Sequence, residues 1–178
     1  MSSRALTYQD YAALPDDGRR YQVLDGELCV TPAPGSRHQE ISGNFFAAIH
    51  AYVKAHGLGK VLSAPFDVIL SDTSIVQPDV VFVARDRLEH LSPRGMEGAP
   101  TLVAEVLSPS TAMIDRRRKR DLYARHGVTY YWIVDGDART IEAYQLAGAE
   151  YELLARTTTA EPVAVEPFPG LLLTDLWP

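Results

Sequence analysis

The stretch TLVAEVLSPSTAMIDRRRKRDLYARHGVTYYWIVD, residues 101–135, decides the fold class of this chain. It opens with a nearly continuous apolar run over 101–107, which is typical of a central strand that is covered on both faces. A Ser-Pro-Ser segment then leads into a predicted helix over 111–126, which a glycine closes. A further strand is predicted at 130–134. This order of elements indicates an α/β domain with a mixed sheet.

The residues on either side extend the same pattern. A short helix is predicted over 7–14, and the dipeptide Asp25-Gly26 is a strong turn signal for an early hairpin. A long helix is predicted over 36–56, because its apolar residues recur at helical spacing. The tail, 162–178, is expected to pack along the surface. The other predicted strands are 21–24, 27–30, 60–64, 66–70, 79–83, 140–145 and 151–155.

Length and composition exclude several classes of protein. The chain has 178 residues, of which 46% are hydrophobic and 22% charged, which suits one globular domain over 1–178. No apolar run approaches the roughly 18 residues of a membrane-spanning helix, and the N-terminus lacks the apolar region of a signal peptide. The single cysteine, Cys29, rules out a disulfide framework. A cytoplasmic protein without membrane association is therefore expected.

The net charge restricts how the chain can bind nucleic acid. It has 17 Lys and Arg against 23 Asp and Glu, a formal charge of −6 at pH 7. Proteins that hold nucleic acid mainly by charge are usually basic. A local basic patch, or metal ions held among the carboxylates, remain compatible with this balance, because net charge limits non-specific affinity without naming a function.

Glu105 is the most informative single residue. Its neighbours in Leu102–Leu107 are all apolar, and an unpaired carboxylate in such a place costs several kcal/mol. A cation, a metal ion or protonation must compensate for it. The structural alternative is a buried ion pair with an arginine.

Asp79 is the second informative acid, because it opens the predicted strand 79–83 directly after Pro78. Alone it could be a capping aspartate at a strand start. Adjacent strands lie about 5 Å apart, however, so acids at the ends of two central strands can aim both carboxylates at one ion. Carboxylate oxygens are the ligands that Mg²⁺ prefers.

Three further positions complete the candidate set. Glu27 on the early hairpin is a third candidate acid, or a solvated strand residue. His38, at the start of the long helix, could contact substrate or support a ligand, or it could be an exposed histidine at a helix start. The basic cluster 116–120 cannot all face one way on a helix; most of it is expected to form a solvated, salt-bridged face.

Lys119 is the member of that cluster that helix geometry leaves free to point at the sheet. It lies four residues after Asp115, on the same face, and Tyr123 follows one turn later. The connection from strand to helix would place this face at the carboxyl end of the Glu105 strand, where open α/β sheets tend to have their sites.

These motifs, in their order and spacing, resemble the Uma2 family, formerly called DUF820, within the PD-(D/E)XK restriction-endonuclease-like group. The similarity extends over about residues 6–176. The segments that carry it are Gln77–Phe82, Val103–Thr111, Asp115, Lys119, Tyr123, Gly127-Val128 and Tyr131–Asp135, with the Tyr21–Glu27 hairpin and His38-Gln39.

The resemblance implies a restriction-endonuclease-like core, with two main helices packed on a mixed central sheet, and a metal-dependent phosphodiester hydrolase that acts on DNA. Asp79 and Glu105 would bind Mg²⁺ or Mn²⁺, with the main-chain carbonyl of Val106 as a further ligand and Glu27 as an acid from the N-terminal part. The metal would activate a water molecule and stabilise charge on the phosphate. A homodimer is expected by analogy with nucleases that cut two strands.

The chain departs from the usual motif at one point. A lysine normally follows the second acid by two residues, and here position 107 is leucine. The family resemblance indicates that Lys119 supplies this lysine from the following helix and positions the attacking water. His38, Asp115 and Tyr123 are then candidates for contacting the substrate or supporting the ligands.

Two other functions remain compatible with the sequence. One is a catalytically silent module of nuclease fold that binds nucleic acid or a protein partner, which the displaced lysine and the acidic charge both favour. The other is a hydrolase for a different phosphodiester, because a carboxylate metal site does not specify the polymer.

Overall fold

A computed structural model describes residues 4–158 and 162–178. Residues 1–3, on which the prediction of no signal peptide partly rests, lie outside the described residues. The helices are α1 (Tyr8–Ala12), α2 (Ser36–His56) and α3 (Arg120–Arg125), with a 3₁₀ helix at Arg85–His90 and a π-helical turn at Ile114–Lys119 directly before α3. The strands are β1 (Arg20–Leu24), β2 (Glu27–Thr31), β3 (Gly59–Ser63), β4 (Val68–Ser71), β5 (Ser74–Val76), β6 (Val80–Ala84), β7 (Leu91–Ser92), β8 (Gly95–Glu97), β9 (Leu102–Val106), β10 (Tyr130–Asp135), β11 (Thr140–Ala147) and β12 (Glu150–Thr157).

Six strands form the main sheet, in the order β12-β11-β10-β9-β6-β3. The two central strands, β9 and β10, run parallel, and the other neighbouring pairs are antiparallel. Every residue of β9 is buried, which confirms the prediction of a central strand. Parallel strands need a long crossover connection, and the π-helical turn with α3 supplies it between β9 and β10. The mixed α/β fold class is thereby confirmed.

The N-terminal hairpin belongs to a second six-stranded sheet, in the order β2-β1-β5-β4-β8-β7. The single mixed sheet that the sequence predicts is therefore two sheets, each with one parallel pair of strands. The sequence does not predict β5, β7 and β8, because each has only two or three residues. Such short strands cannot show the alternation that identifies a strand.

Helix α2 covers one face of the main sheet, and its predicted extent is confirmed. The chain leaves the helix at Gly57, whose φ of 60° lies in the left-handed region that favours glycine. Among residues 4–158 and 162–178, no helix has the length and apolar character needed to cross a membrane. The side chains that α2 buries against the sheet are spaced by four residues: Ile41, Phe45, Ile49 and Val53.

The C-terminal tail contributes to the core, so the expectation that it packs along the surface is wrong. Phe168 is fully buried, with its ring 5.1 Å from that of Phe82 and 5.7 Å from that of Trp132. Prolines interrupt this segment, so it has no regular apolar period from which its burial could be predicted. Its other buried residues are Val163, Leu171, Leu173 and Leu176.

Alternation along β9 decides which way Glu105 points. Leu102, Ala104 and Val106 belong to the apolar core under α2, whereas Val103 belongs to the core on the opposite face, with Leu122 and Tyr123 of α3. Since successive side chains of a strand point to opposite faces, Glu105 points with Val103 towards the π-helical turn and α3. The fold therefore directs this carboxylate into the layer between the sheet and that helix.

Candidate functional site

Glu105 lies near the end of β9 with its side chain only 3% exposed. Its Oε1 accepts a hydrogen bond from Lys119 Nζ at 3.0 Å and another from the Tyr123 hydroxyl at 2.7 Å. The residue that compensates for the buried charge of Glu105 is therefore a lysine. The arginine that the sequence leaves possible in an ion pair with Glu105 is not the partner. The two helical residues that the sequence places beside this strand both contact its carboxylate.

The π-helical turn carries Asp115 and Lys119 to Glu105. Both are buried, and Lys119 Nζ lies 3.1 Å from Asp115 Oδ1. The hydroxyl of Tyr131 on β10 donates to the main-chain carbonyl of Asp115 at 2.9 Å, which holds the turn on the sheet. Short π-helical segments occur frequently at functional sites. Here the turn brings one carboxylate and one ammonium group against a second carboxylate.

A second ionic cluster holds the same turn from its outer side. Arg116 donates to Glu142 at 2.7 Å and to Asp135 at 3.1 Å. Glu142, on β11, is only 3% exposed and also accepts hydrogen bonds from Arg156 at 2.8 Å and the Tyr144 hydroxyl at 2.9 Å. The residue directly after Asp115 is thus tied to the sheet by charged contacts.

Glu142→Gln tests this cluster through the pH dependence of stability. Burial would raise the pKa of Glu142, but hydrogen bonds from Arg116 and Tyr144 outweigh it and hold the pKa below its usual value. A lowered carboxyl pKa stabilises the fold above the ordinary pKa of about 4.3, and this contribution is lost as the pH falls through the lower, folded-state pKa. The free energy of unfolding of the variant is therefore expected to be about 1–3 kcal/mol lower than that of the wild type at neutral pH. The difference should be much smaller at acidic pH. Urea denaturation at both pH values measures the loss; an equal loss at both would contradict the account.

Asp79 lies directly before β6 and is 5% exposed. Continuing the antiparallel register of β6 and β9 by one residue sets Asp79 opposite Glu105, so their side chains are cross-strand neighbours. Asp79 Oδ2 accepts the main-chain N–H of Val106 at 2.9 Å, and Oδ1 lies 3.3 Å from an Nη atom of Arg20. The structure therefore brings together the two acids that the sequence predicts at adjacent strand ends.

His38 reaches the same place from the first turn of α2. Its Nε2 lies 2.9 Å from the carbonyl oxygen of Val106 and 3.2 Å from Asp79 Oδ2. The side chain is 14% exposed, so the alternative of an exposed histidine at a helix start is wrong. Within the described chain, its Nδ1 is buried without a hydrogen-bond partner.

Around Glu105, the buried carboxylates outnumber the ammonium groups. Burial raises the pKa of Glu105 to about 7, and the nearby carboxylates of Asp115 and Asp79 add to this against the attraction of Lys119. Burial alone would lower the pKa of Lys119, but the same three carboxylates raise it well above its usual value. The ammonium group therefore stays charged, and the surplus of carboxylate favours an additional cation.

Asp79 keeps its negative charge for a different reason. Burial would raise its pKa, but the hydrogen bond to His38 and the positive charges of Arg20 and Lys119 outweigh this and lower the pKa. Asp79 is thus an ionised carboxylate at neutral pH, with an orientation fixed by a main-chain N–H group. An ionised, fixed carboxylate is suited to binding a metal ion.

These side chains meet in a pocket of about 210 Å³. One wall comes from β1 and the loop after β2, and the other from the segment between β9 and the π-helical turn. Hydroxyl and amide groups make much of this lining polar, and they are contributed by Gln22, Thr31, Ser108, Ser110 and Thr111.

Glu27 is not brought to this pocket, which corrects the prediction that it supplies an acid from the N-terminal part. Its side chain is 73% exposed and pairs with Arg118 at 2.7 Å. Glu27 pairs with Leu24 at the turn of the hairpin, whereas the pocket is lined by Arg20, at the opposite end. Glu27 therefore does not belong to the proposed ligand set.

Two residues of β1 line the pocket although nothing in the sequence singles them out. Gln22 is 1% exposed and accepts the main-chain N–H of Gln77 at 3.0 Å, and Arg20 contacts Asp79. The two-residue period of a strand places both on one face of β1. This two-residue period is the sequence signal that could identify them. Neither residue is an acid, so neither is a candidate metal ligand by residue type.

The donor atoms fit a hard divalent cation. Asp79, Glu105 and the Val106 carbonyl offer oxygen ligands, and the surplus of carboxylate around Glu105 matches a positive charge. In the ranges that the structure describes, no three side chains of Asp, Glu, His or Cys form a metal cluster, so a bound ion would also need water or substrate oxygens. Mg²⁺ is usually bound in this way, by one or two carboxylates together with waters and phosphates.

Comparison with known proteins identifies the family and a shared fold. The model of the Uma2 family, described as "Putative restriction endonuclease", matches residues 8–175. A solved structure described as a putative nuclease belonging to DUF820, from Anabaena variabilis ATCC 29413, superimposes with a TM-score of 0.77 at 20% identity, covering 97% of each chain. At that identity it shows a shared fold. No curated protein matches the chain. Because the family match includes all but a few residues at either end, the chain belongs to the Uma2 family of restriction-endonuclease-like nucleases.

Proposed function

We propose that this protein is a nuclease that depends on Mg²⁺ or Mn²⁺ and hydrolyses phosphodiester bonds of DNA. The observation that supports the proposal most strongly is the buried contact of Glu105 with Lys119, directly opposite Asp79 in one polar pocket. Two neighbouring carboxylates can hold a divalent cation, which activates water for phosphodiester hydrolysis, and a charged lysine beside them can hold that water or a phosphate oxygen. Membership of a nuclease family supports the same reaction class.

The carboxylates of Asp79 and Glu105, with the carbonyl of Val106, would hold the cation. When bound, a divalent cation supplies Lewis-acid activation of water and offsets the charge on the scissile phosphate. The protein fixes these donors in advance: the Val106 N–H orients Asp79, and the Tyr123 hydroxyl orients Glu105. Preorganised donors need little rearrangement during the reaction.

Lys119 would hold the attacking water. Its ammonium group has three N–H donors; one donates to Glu105, and Asp115 Oδ1 lies 3.1 Å away as an ion-pair partner. A remaining N–H can donate to a water molecule or to a phosphate oxygen in the pocket. Asp115 keeps the ammonium group charged and in place, so its role is to position Lys119.

Three arginines of the basic cluster 116–120 are paired within the fold, as the expected salt-bridged face requires, and Arg117 is exposed. Arg116 and Arg118 pair with acids of the fold, and Arg120 donates to the carbonyl of Tyr151. The cationic groups that line the pocket are Lys119 and Arg20. We therefore expect the substrate phosphate to meet these two, and DNA affinity to depend on the bound metal ion.

Asp79→Asn tests the proposed nuclease. The amide keeps the size of the side chain and one oxygen but removes the negative charge, so cleavage of supercoiled plasmid in Mg²⁺ or Mn²⁺ is expected to fall about 100-fold. Wild-type cleavage should stop when EDTA is added. Glu152→Gln, a matched change of an exposed acid on β12 at the far edge of the sheet, should leave cleavage unchanged.

Different outcomes separate the alternative functions. Calorimetric binding of Mg²⁺ or Mn²⁺ by the wild type with no cleavage of any substrate would favour the silent module. Hydrolysis of bis(p-nitrophenyl) phosphate without cleavage of DNA would favour a different phosphodiester. Undiminished plasmid cleavage by Asp79→Asn would reject the site itself.

A further inference from the structure

The His38 side chain reaches two of the oxygens proposed to hold the cation. Its Nε2 is 2.9 Å from the Val106 carbonyl oxygen and 3.2 Å from Asp79 Oδ2. In an octahedral site with bonds of about 2.1 Å, neighbouring ligand atoms lie about 3 Å apart. Both separations match the spacing of adjacent ligands around one ion.

The position of this nitrogen is fixed by the fold. The ring is mostly buried at the first turn of α2, a 21-residue helix whose apolar face is packed on the main sheet. Asp79 is held in turn by the Val106 N–H and by Arg20. These two side-chain atoms and one main-chain carbonyl are therefore set in place by elements that are distant in sequence; in the described ranges they do not form a ready-made group of three side-chain ligands.

The ring can supply a lone pair by exchanging its tautomer. Next to two oxygen acceptors, Nε2 carries the proton and donates; to bind a cation it must release that proton. The remaining proton must then lie at Nδ1, which is buried and, in the described ranges, has no hydrogen-bond partner. The ring as a ligand is neutral, with one proton lost from Nε2 and one held at Nδ1.

We propose that His38 is a direct ligand of the divalent cation through Nε2 and gives the site a preference for Mn²⁺ and Co²⁺ over Mg²⁺. This inference rests on the proposed function, because it concerns the same cation. Imidazole nitrogen suits first-row transition metals better than Mg²⁺, which favours oxygen donors. The nitrogen therefore strengthens binding of the transition metals selectively.

Calorimetric titration with MnCl₂ and MgCl₂ tests the preference. His38→Ala is expected to weaken Mn²⁺ binding about tenfold or more and Mg²⁺ binding much less, so that the ratio of the two affinities falls. His38→Gln, whose amide can keep a hydrogen bond to the same oxygens, should show the same fall if the alanine variant folds poorly. His50→Ala, a change of an exposed histidine on the same helix, should leave the ratio unchanged.

Pulsed EPR of the Mn²⁺-loaded protein gives an independent readout. A nitrogen coupling from a bound imidazole is expected in the wild type and in His50→Ala, and should be absent in His38→Ala. Mn²⁺ binding by the wild type without a nitrogen coupling, or with an affinity ratio that His38→Ala leaves unchanged, would overturn the role of His38 and leave the proposed nuclease standing. Failure of the wild type to bind either ion would overturn the proposed function as well.

Discussion

Glu105→Gln is expected to remove divalent-cation binding and to reduce cleavage about 1,000-fold, while making the metal-free protein more stable at pH 8. The two effects have one cause. Glu105 is buried with Asp115 and Asp79 around a single lysine, and this raises its pKa to about 7. The carboxylate is therefore retained at the expense of stability, as is common at functional sites.

The direction of the pH dependence follows from the raised pKa. A carboxyl group whose folded-state pKa exceeds its unfolded value binds its proton more tightly in the folded state, so its contribution to stability falls as the pH rises from about 4.5 to 7. Above pH 7 the penalty is complete and is about 3 kcal/mol. Glutamine has no charge to lose, so the advantage of the variant should vanish near pH 5.

Urea denaturation of both proteins at pH 5 and pH 8 in EDTA measures this difference. Glu152→Gln is the matched control, since its acid is exposed, and no change in stability is expected. A Glu105→Gln variant that is markedly less stable than the wild type at pH 8 would contradict the account. It would show that the pair with Lys119 is structural.

Lys119→Met is expected to destabilise the metal-free protein by about 3–5 kcal/mol and to abolish cleavage. Methionine matches the length of the lysine stem but leaves Glu105 and Asp115 buried without their shared cation. Removing the cation from between two buried carboxylates leaves two uncompensated charges, which is more destabilising than removing the cation together with one of them. The Lys119→Met, Glu105→Gln double variant should therefore recover part of the lost stability, since only Asp115 is then left without its cation.

Thermal denaturation of the single and double variants measures this coupling. Lys119→Arg keeps the positive charge and serves as the control, with a smaller loss of stability. Saturating Mn²⁺ should stabilise Lys119→Met more than it stabilises the wild type, because the ion replaces the missing charge. Strictly additive effects of the two substitutions would contradict the proposed coupling between Lys119 and Glu105.

Periodicity predicts the parts of the fold in which it extends over several turns or strand residues. Helix α2 and strand β9 are both found as expected, because each has a long, regular apolar pattern. The second sheet is not predictable in this way, since β5, β7 and β8 are too short to show a period. The burial of Phe168 is not predictable from periodicity either, because it depends on tertiary packing of an irregular, proline-rich segment.

The candidate site is likewise only partly predictable from the sequence. Asp79 and Glu105 are identifiable because acids are costly in apolar strands, and the spacing of Asp115 and Lys119 indicates a shared helix face. The π-helical geometry of that face has no signal in the sequence. Glu27 is misplaced because residue type alone does not tell which end of a hairpin faces the pocket, and the register of β1 with β2 decides this.

The most direct test of the central claim is plasmid cleavage in Mg²⁺ and Mn²⁺ by wild-type protein and Glu105→Gln, purified in parallel and checked for folding by circular dichroism. The account predicts nicking by the wild type that EDTA abolishes, and none above background by a fully folded Glu105→Gln. Equal cleavage by the two proteins would contradict the claim that the cation bound by Asp79 and Glu105 carries out the reaction.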